Sequence, residues 1–133
     1  QLVISGSIDA INTTCEKMKE AGAKRALPLP VSGAFHSPLM QPAKDELQAA
    51  IESVTFNTPR IPVYQNVDAL AHTDAEEIKK NLVAQLTGAV RWTATITNMV
   101  ANGANDFTEC GPGKALQGMI GRIDKTVTAH GVE

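Results

Sequence analysis

Hydrophobic residues recur along the chain at helical spacing, and short apolar runs lie between these stretches. In the first helical stretch the apolar positions fall at i, i+4 and i+7, namely Ile11, Cys15 and Met18. Ser7 is placed to cap this helix, and Gly22 is placed to end it. Extended runs at residues 1–6 and 23–31 flank the helix, so the pattern predicts a strand, a helix and a second strand, with the second strand restricted to a sheet edge or irregular pairing by its prolines.

The second helical stretch begins at a serine-proline pair. Ser37 and Pro38 resemble an N-cap followed by proline at the first helical position, where its missing N–H costs nothing. Pro42 does not fit the interior of a helix, because its ring collides with an earlier carbonyl. We therefore expect one short turn at 38–41 and then a helix that lies on a sheet. Its apolar stripe is formed by Leu47, Ala50, Ile51 and Val54.

The rest of the chain alternates between predicted strands and helices. The strands are expected at residues 60–67 and 105–109. The helices are expected at residues 73–86, 92–103 and 114–123. Asp74 and Glu77 stand at capping-box spacing at the start of the first of these helices. This alternation predicts an α/β fold with mostly parallel strand pairing.

One uncharged polar residue, Gln85, lies along the apolar stripe of the helix at 73–86. The other residues of that stripe are Ile78, Leu82 and Leu86. An unpaired buried amide costs about 1–3 kcal/mol. We therefore expect the Gln85 side chain to have hydrogen-bond partners.

Composition limits the kinds of function. A chain of 133 residues that is 43% apolar and 20% charged forms one domain or a piece of a larger one. A net charge of -2, without a basic stripe and with few aromatic residues, argues against nucleic acid as a partner. No apolar run approaches the roughly 20 residues that span a bilayer, so we expect no membrane association and a cytoplasmic location. Cys15 and Cys110 lie far apart, and we expect two free, mostly buried thiols.

His36 is the leading candidate for chemistry. It directly precedes a predicted helix start, where the positive end of the helix dipole disfavours the imidazolium form. A neutral imidazole is what a general base requires, although a histidine in this position also fits a purely structural role. The chain has no G-x-S-x-G elbow, so any nucleophile that His36 serves lies outside these residues.

The other candidate motifs favour ordinary structural roles. The "ECGPGK" stretch at 109–114 fails as a phosphate loop, because a Walker A motif needs glycine where Thr108 stands and serine or threonine where Ala115 stands. His72 and His130 lie in polar segments without a second ligand at metal spacing, so both are expected to be surface residues. We expect no metal and no cofactor.

Several stretches occur in the order found in one enzyme family. They are "QLVISG", "AGAKRALPLPVSGAFHSPLM", "TPRIPVYQNVDA", "LVAQL", "VRW" and "ECGPGKAL". Over essentially its whole length the chain resembles malonyl-CoA:acyl-carrier-protein transacylases and the related acyltransferase domains of fatty-acid and polyketide synthases. This resemblance implies transfer of a malonyl group from malonyl-CoA to the phosphopantetheine thiol of acyl carrier protein, through a serine acyl-enzyme, in fatty-acid biosynthesis.

The resemblance also implies a subdomain arrangement and residue roles. Residues 1–31 would close a ferredoxin-like small subdomain, and residues 32–133 would form the C-terminal part of an α/β-hydrolase-like large subdomain. His36 corresponds to the catalytic histidine, and Gln85 corresponds to the glutamine whose main-chain carbonyl orients it. Phe35 stands in the stretch associated with malonyl choice, where its ring would crowd an α-methyl branch.

The same resemblance places essential groups upstream of Gln1. These are the serine elbow, the arginine that pairs with the malonyl carboxylate, and the oxyanion donors. The missing N-terminal part of the same protein is therefore an expected partner, and we expect the chain alone to be inactive. Two alternatives remain open: a non-catalytic module that docks carrier protein, and an acyltransferase fragment of a polyketide synthase, although the ending "TAHGVE" favours a stand-alone enzyme. Without the upstream half, apolar faces should be uncovered, including those of Leu2, Ile4, Val63 and Phe107.

Overall fold

The computed structural model describes residues 2–132, so Gln1 and Glu133, where the predicted subdomains begin and end, lie outside the described residues. Within them the α-helices are α1 Ile8–Glu20, α2 Gln41–Glu52, α3 Ala75–Gln85, α4 Trp92–Ala101 and α5 Ala115–Ile123. The strands are β1 Val63–Tyr64, β2 Ala71–His72, β3 Asp106–Cys110 and β4 Thr128–Val132. The chain divides into two compact units. Unit 1 runs up to Thr55 and includes Leu82–Ala89, and unit 2 comprises Phe56–Asn81 and the residues from Val90 onwards.

Helix α1, in unit 1, begins and ends where the sequence predicts. The Ser7 hydroxyl accepts a hydrogen bond from the Ala10 amide at 3.4 Å. Gly22 follows the helix with φ at +92°, and its amide donates to the Lys19 carbonyl at 3.0 Å. A glycine in this left-handed conformation closes a helix without the strain that a Cβ would bring. The predicted cap and stop are therefore confirmed.

The strands predicted at residues 1–6 and 23–31 are wrong. The described residues of both segments belong to no strand, and Leu2 is 84% exposed. An extended run becomes a strand only when another backbone accepts and donates its hydrogen bonds, and Pro28 and Pro30 offer no N–H for this. Hydrogen bonds between main-chain atoms in the described part of these segments are local, such as the one from the Val31 amide to the Leu29 carbonyl at 2.8 Å.

The break between Ser37 and α2 is confirmed. A single 3-10 turn covers Pro38–Met40, and α2 then starts with Pro42 in its first turn. Of the predicted apolar stripe only Ile51 is buried. The described residues of unit 1 include no strand, so the expectation that α2 lies on a sheet is wrong.

Unit 2 contains two pairs of strands. Strands β1 and β2 form an antiparallel pair in which Val63 lies opposite His72. Strands β3 and β4 run parallel, from the pair Asp106 and Thr128 to the pair Cys110 and Val132. The α/β class is confirmed, while the expectation of mostly parallel pairing holds for one of these two pairs.

The core of unit 2 lies between α4, β3 and α5. Its buried residues are Ile96, Phe107 and Ile120, with Trp92, Met99, Val100, Ala104, Ile123, Val127 and Ala129 packed against them. Ile96 of α4 is 1% exposed and Ile120 of α5 is 4% exposed, whereas Leu116 of α5 remains 37% exposed. Phe107 is only 8% exposed, so the expectation that it is uncovered is wrong.

Strand β3 alternates between a covered and an open face. Phe107 points to the core, whereas Asp106, Thr108 and Cys110 lie on the open side. Cys110 is therefore exposed, which corrects the expectation of two buried thiols, while Cys15 is buried and both are free. Between residues 2 and 132 no helix has the length and apolar character needed to cross a membrane.

Candidate active site

The backbone of His36 has an unusual conformation. The residue lies just before the 3-10 turn, with φ at +63°. Few residues other than glycine adopt this left-handed region, and histidine is among those enriched there. A conformation of this kind costs on the order of 1–3 kcal/mol and persists only where neighbouring contacts hold it. Strain of this kind is concentrated at functional sites.

The imidazole ring of His36 contacts the end of α3. Its Nδ1 atom lies 3.0 Å from the main-chain carbonyl oxygen of Gln85, a residue 49 positions later in the same unit. A carbonyl only accepts hydrogen bonds, so in the neutral ring Nδ1 carries the proton and Nε2 keeps its lone pair. His36 is exposed, and in this tautomer its Nε2 is able to take up a proton.

The side chain of Gln85 is also satisfied. Its Nε2 atom donates to the carbonyls of Gly88 at 3.0 Å and Ala89 at 3.3 Å. The expectation that this half-buried amide has partners is therefore confirmed. These bonds fold the residues after α3 back onto its end, and they fix the peptide group whose oxygen faces His36. The contact between His36 and Gln85 is the one that the family resemblance implies, while the catalytic roles of both residues stay predictions.

Phe35 precedes His36, and its ring lies against Gly33. A Cβ added to Gly33 would be 3.2 Å from Cε2 of the ring, which is closer than ordinary van der Waals contact. Phe35 as a whole is 44% exposed. An open aromatic face beside His36 is compatible with a role in acyl selection, which remains a prediction.

His72, expected at the surface, is instead largely buried. Only 13% of its side chain is exposed. Its Nε2 atom lies 2.8 Å from Oδ2 of Asp68, and its Nδ1 atom lies 3.3 Å from Oε2 of Glu77. The surface expectation is wrong because the turn between β1 and β2 brings Asp68 back to the ring. The sequence does place an acidic residue four positions before His72 and another five positions after it, and this pattern could have indicated a paired, buried histidine.

The two partners shift their pKa values in opposite directions. Burial lowers the pKa of His72, but the hydrogen bonds and charges of Glu77 and Asp68 outweigh burial and raise it above its ordinary value. Burial raises the pKa of Asp68, but the Leu70 amide, His72 and Asn81 together bring it below its ordinary value. Both shifts favour the ion pair.

In the turn at 109–114, a side chain of the turn itself binds the free amides at the start of α5. The carboxylate of Glu109 accepts hydrogen bonds from the amides of Leu116 at 3.1 Å and Gln117 at 3.2 Å, where a bound phosphate would otherwise lie. Desolvation raises the pKa of Glu109, but these amides outweigh it and bring the pKa below its ordinary value. The structural interpretation of this turn is therefore supported.

His130 lies on the open face of the β3 and β4 pair, exposed as predicted. Its Nε2 atom is 2.9 Å from the hydroxyl of Thr108. Its Nδ1 atom is 3.3 Å from Asp106. Across residues 2–132 no three histidine, cysteine or acidic side chains are grouped to hold a metal ion.

Comparison with known proteins gives a consistent result. The acyl transferase domain family matches residues 1–129. The malonyl CoA-acyl carrier protein transacylase of Escherichia coli K12 is 45% identical over 129 residues, which are 97% of this chain and 42% of the relative. The protein of the same name from Bacillus subtilis is 40% identical over 94% of this chain and 39% of its own length.

Solved structures agree with these relatives. An acyl carrier protein S-malonyltransferase from Vibrio cholerae superposes with a TM-score of 0.91 at 48% identity, covering 96% of this chain and 42% of that protein. A malonyl-transacylase in complex with its type II polyketide-synthase acyl carrier protein superposes with a TM-score of 0.90 at 42% identity, covering 96% of this chain and 41% of that protein.

The matches differ in how much of each protein they cover. They extend over nearly all of this chain, but the chain spans only about two fifths of the length of the relatives. The family model covers residues 1–129, nearly the whole chain. The chain belongs to the acyl transferase domain family.

Proposed function

We propose that this chain is the C-terminal portion of an acyltransferase that moves a malonyl group from malonyl-CoA to the phosphopantetheine thiol of acyl carrier protein, in fatty-acid biosynthesis. The observation that carries the proposal is the 3.0 Å contact between His36 Nδ1 and the Gln85 carbonyl. In the neutral ring this contact places the proton on Nδ1, so that Nε2 of the exposed residue carries the lone pair that a general base requires. The choice of malonyl as the acyl group and acyl carrier protein as the acceptor is supported by the names of the relatives.

The proposed reaction has two steps with the same base. Nε2 of His36 takes the proton of a serine hydroxyl from the upstream part of the enzyme as the oxygen attacks the malonyl thioester carbonyl. The bond between the carbonyl carbon and sulfur then breaks, and CoA leaves with the proton returned from Nε2. In the second step Nε2 takes the proton of the carrier-protein thiol, whose sulfur attacks the carbonyl carbon of the acyl-serine. The ester bond between that carbon and the serine oxygen breaks, and the oxygen takes the proton back from Nε2.

Gln85 and Phe35 have supporting roles in this proposal. The Gln85 carbonyl fixes the tautomer of His36 and stabilises its positive charge when Nε2 is protonated, because the C-terminal end of a helix carries partial negative charge. Phe35 narrows the space for the acyl group. Packing of one methyl group discriminates by only about 1–3 kcal/mol, so we expect incomplete exclusion of methylmalonyl groups.

The remaining sequence-based expectations belong to the same proposal. Residues 1–31 would close a ferredoxin-like subdomain, residues 32–133 would belong to an α/β-hydrolase-like one, and the upstream part would supply the nucleophile. Acyl carrier protein as partner is supported by the related malonyl-transacylase that was solved with its carrier protein. The proposal includes no cofactor and places the enzyme in the cytoplasm.

The test uses the full-length enzyme, meaning the polypeptide in which this chain follows the upstream residues that its relatives possess. His36→Ala should lower kcat for malonyl transfer by about 10²–10⁴-fold, because no other group replaces the base. The matched control is His130→Ala, which removes an exposed imidazole from the open face of β3 and β4. Radiolabelled malonyl-CoA and purified carrier protein give the rate. Unchanged transfer by the folded His36→Ala enzyme would contradict the proposal.

A further inference from the structure

The hydroxyl of Ser37 is buried, although its neighbours along the chain are exposed. Ser37 is 6% exposed, whereas Phe35 is 44% exposed and His36 is also exposed. The hydroxyl donates to the carbonyl of Ala34 at 2.6 Å and accepts from the amide of Leu39 at 3.3 Å. A buried polar group with both of its hydrogen-bonding functions used fixes its surroundings.

The two bonds of Ser37 lie on opposite sides of His36. The bond to Ala34 closes the chain around the two residues between them, Phe35 and His36. The bond from Leu39 caps the 3-10 turn that follows. The His36 backbone between these bonds has φ at +63°, a conformation that a residue with a Cβ leaves unless its neighbours hold it.

Capping alone does not account for this arrangement. An N-cap hydroxyl needs only to accept from an amide of the following turn, as Ser7 does from Ala10 in α1. Ser37 additionally donates backwards, to a carbonyl before His36, and this bond is the shorter of its two. The backward bond stabilises the segment that carries the histidine.

We propose that Ser37 is a positioning residue for the acyl transfer reaction. Its hydroxyl holds the left-handed backbone of His36, and through it the direction of the ring toward the Gln85 carbonyl. Ser37 does not take part in proton transfer. This inference rests on the proposed function, because it assumes that His36 is the base, and it adds a residue that neither the sequence analysis nor the family resemblance assigned to the reaction.

The chain provides matched controls for both hydrogen bonds. The hydroxyl of Ser53 donates to the carbonyl of Ala50 at 2.7 Å, with the same three-residue separation as the bond from Ser37 to Ala34, but at the exposed end of α2. Ser7 supplies a capping hydroxyl without the backward bond. Ser53→Ala and Ser7→Ala thus remove one type of bond each, away from His36.

The experiment compares variants of the full-length enzyme in steady-state malonyl transfer. Ser37→Ala should lower kcat by about 10–100-fold, because displacing a catalytic group by about 1 Å can lower the rate by about 100-fold. KM for malonyl-CoA should stay within about twofold. Ser37→Thr keeps the hydroxyl and should restore most of kcat. Both control variants should retain wild-type kcat.

A spectroscopic measurement reports directly on the ring. With ¹⁵N-labelled histidine, the wild-type His36 ring should give the nitrogen shifts of the neutral tautomer protonated at Nδ1. Ser37→Ala should give a mixture of tautomers at His36, and Ser53→Ala should give the wild-type signals. If Ser37→Ala does not fold, Ser37→Cys replaces it, since a thiol has nearly the same shape but donates only weakly.

The outcomes separate this inference from the function it rests on. An inactive His36→Ala enzyme together with wild-type kcat and tautomer in Ser37→Ala or Ser37→Cys would overturn the role of Ser37 alone. Full activity of His36→Ala would overturn the proposed function. An equal loss of kcat in Ser53→Ala, Ser7→Ala and Ser37→Ala would also overturn the inference, since it would show a general effect of stability.

Discussion

The imidazole ring of His72 joins two carboxylates from different parts of unit 2. Asp68 belongs to the turn between β1 and β2, and Glu77 belongs to the first turn of α3. Asn81 donates to Oδ2 of Asp68 and to Oε1 of the buried Gln65, each at 3.1 Å. Because both ring nitrogens face carboxylates, the complete network contains the protonated, positively charged ring.

This network predicts a pH-dependent stability. The pKa of His72 is raised from 6.5, so its contribution is complete below that value and is lost as pH rises through the higher folded pKa. The pKa of Asp68 is lowered from 3.8, so its contribution is present above that value and is lost as pH falls through the lower folded pKa. The ion pair is therefore fully formed when the pH lies between 3.8 and 6.5, the ordinary pKa values of the two groups. Asp68 and Glu77 are the charged groups that act on the ring.

Replacement of His72 tests this argument. His72→Ala should lower the free energy of unfolding by roughly 1–2 kcal/mol near pH 5.5, and by less near pH 8.5, because the wild-type ring has then lost charge. Urea unfolding of the full-length enzyme at the two pH values gives the numbers. His130→Ala, on an exposed face, should cost less than about 0.5 kcal/mol at both. The same loss for His72→Ala at both pH values would show that the charge is not involved.

Residues differ in how far the sequence alone predicts their surroundings. His36 and Gln85 were paired from the family resemblance, down to the carbonyl that contacts the ring, and the polar side chain of Gln85 on an apolar stripe predicted its own partners. The left-handed backbone of His36 was not predicted, because it depends on the buried hydroxyl of Ser37. His72 was misplaced because the bond to Asp68 exists only once β1 and β2 have paired.

At the scale of elements, two glycines with free space around the Cβ position differ in where they lie relative to a helix. Gly103 ends α4 with φ at +98°, and Gly118 lies inside α5. Among the described residues a Cβ at either position would meet no atom within 4 Å. Steric crowding is therefore the same at both, and the backbone conformation alone decides the effect of a substitution.

The pair of alanine substitutions should change stability with opposite signs. Gly103→Ala should destabilise by roughly 1–2 kcal/mol, because an alanine in the left-handed region brings its Cβ close to a carbonyl oxygen. Gly118→Ala should stabilise by about 0.5–1 kcal/mol, because glycine inside a helix loses more backbone entropy than alanine. Thermal unfolding of both variants of the full-length enzyme measures the shifts. A destabilising Gly118→Ala would mean that a group absent from residues 2–132 packs on that face.

Helices were predicted better than strands, for a physical reason. The signals for α1 are local: apolar spacing, the Ser7 cap and the Gly22 stop all lie within a few residues of the helix they define. Strands depend on a partner that is remote in sequence. The run at residues 23–31 has no strand partner among the described residues. Strand β4 was missed because His130 and Gly131 interrupt its apolar pattern until β3 pairs with it.

At the scale of the whole molecule, the two units bury apolar residues to different degrees. Unit 2 has a cluster around Ile96, Phe107 and Ile120. In unit 1 the buried apolar residues are few, namely Cys15, Ala26 and Ile51. Large apolar side chains of unit 1 are instead open to solvent: Leu2 84%, Ile8 80%, Val31 63%, Leu27 60% and Val3 56%. A surface of this kind is typical of one that another part of a protein covers.

The exposed apolar side chains of unit 1 should govern how the isolated chain behaves in solution. The isolated 133-residue chain should bind the dye ANS and self-associate with rising concentration, because each exposed leucine retains a driving force of about 1.5–3 kcal/mol for burial. Leu2→Ser together with Leu27→Ser should reduce both dye fluorescence and the mass measured by light scattering. Leu70→Ser is the matched control, since Leu70 is 53% exposed but lies in unit 2. A monomeric wild-type chain that does not bind ANS would mean that unit 1 covers these side chains by itself, and the argument that upstream residues complete it would then fail.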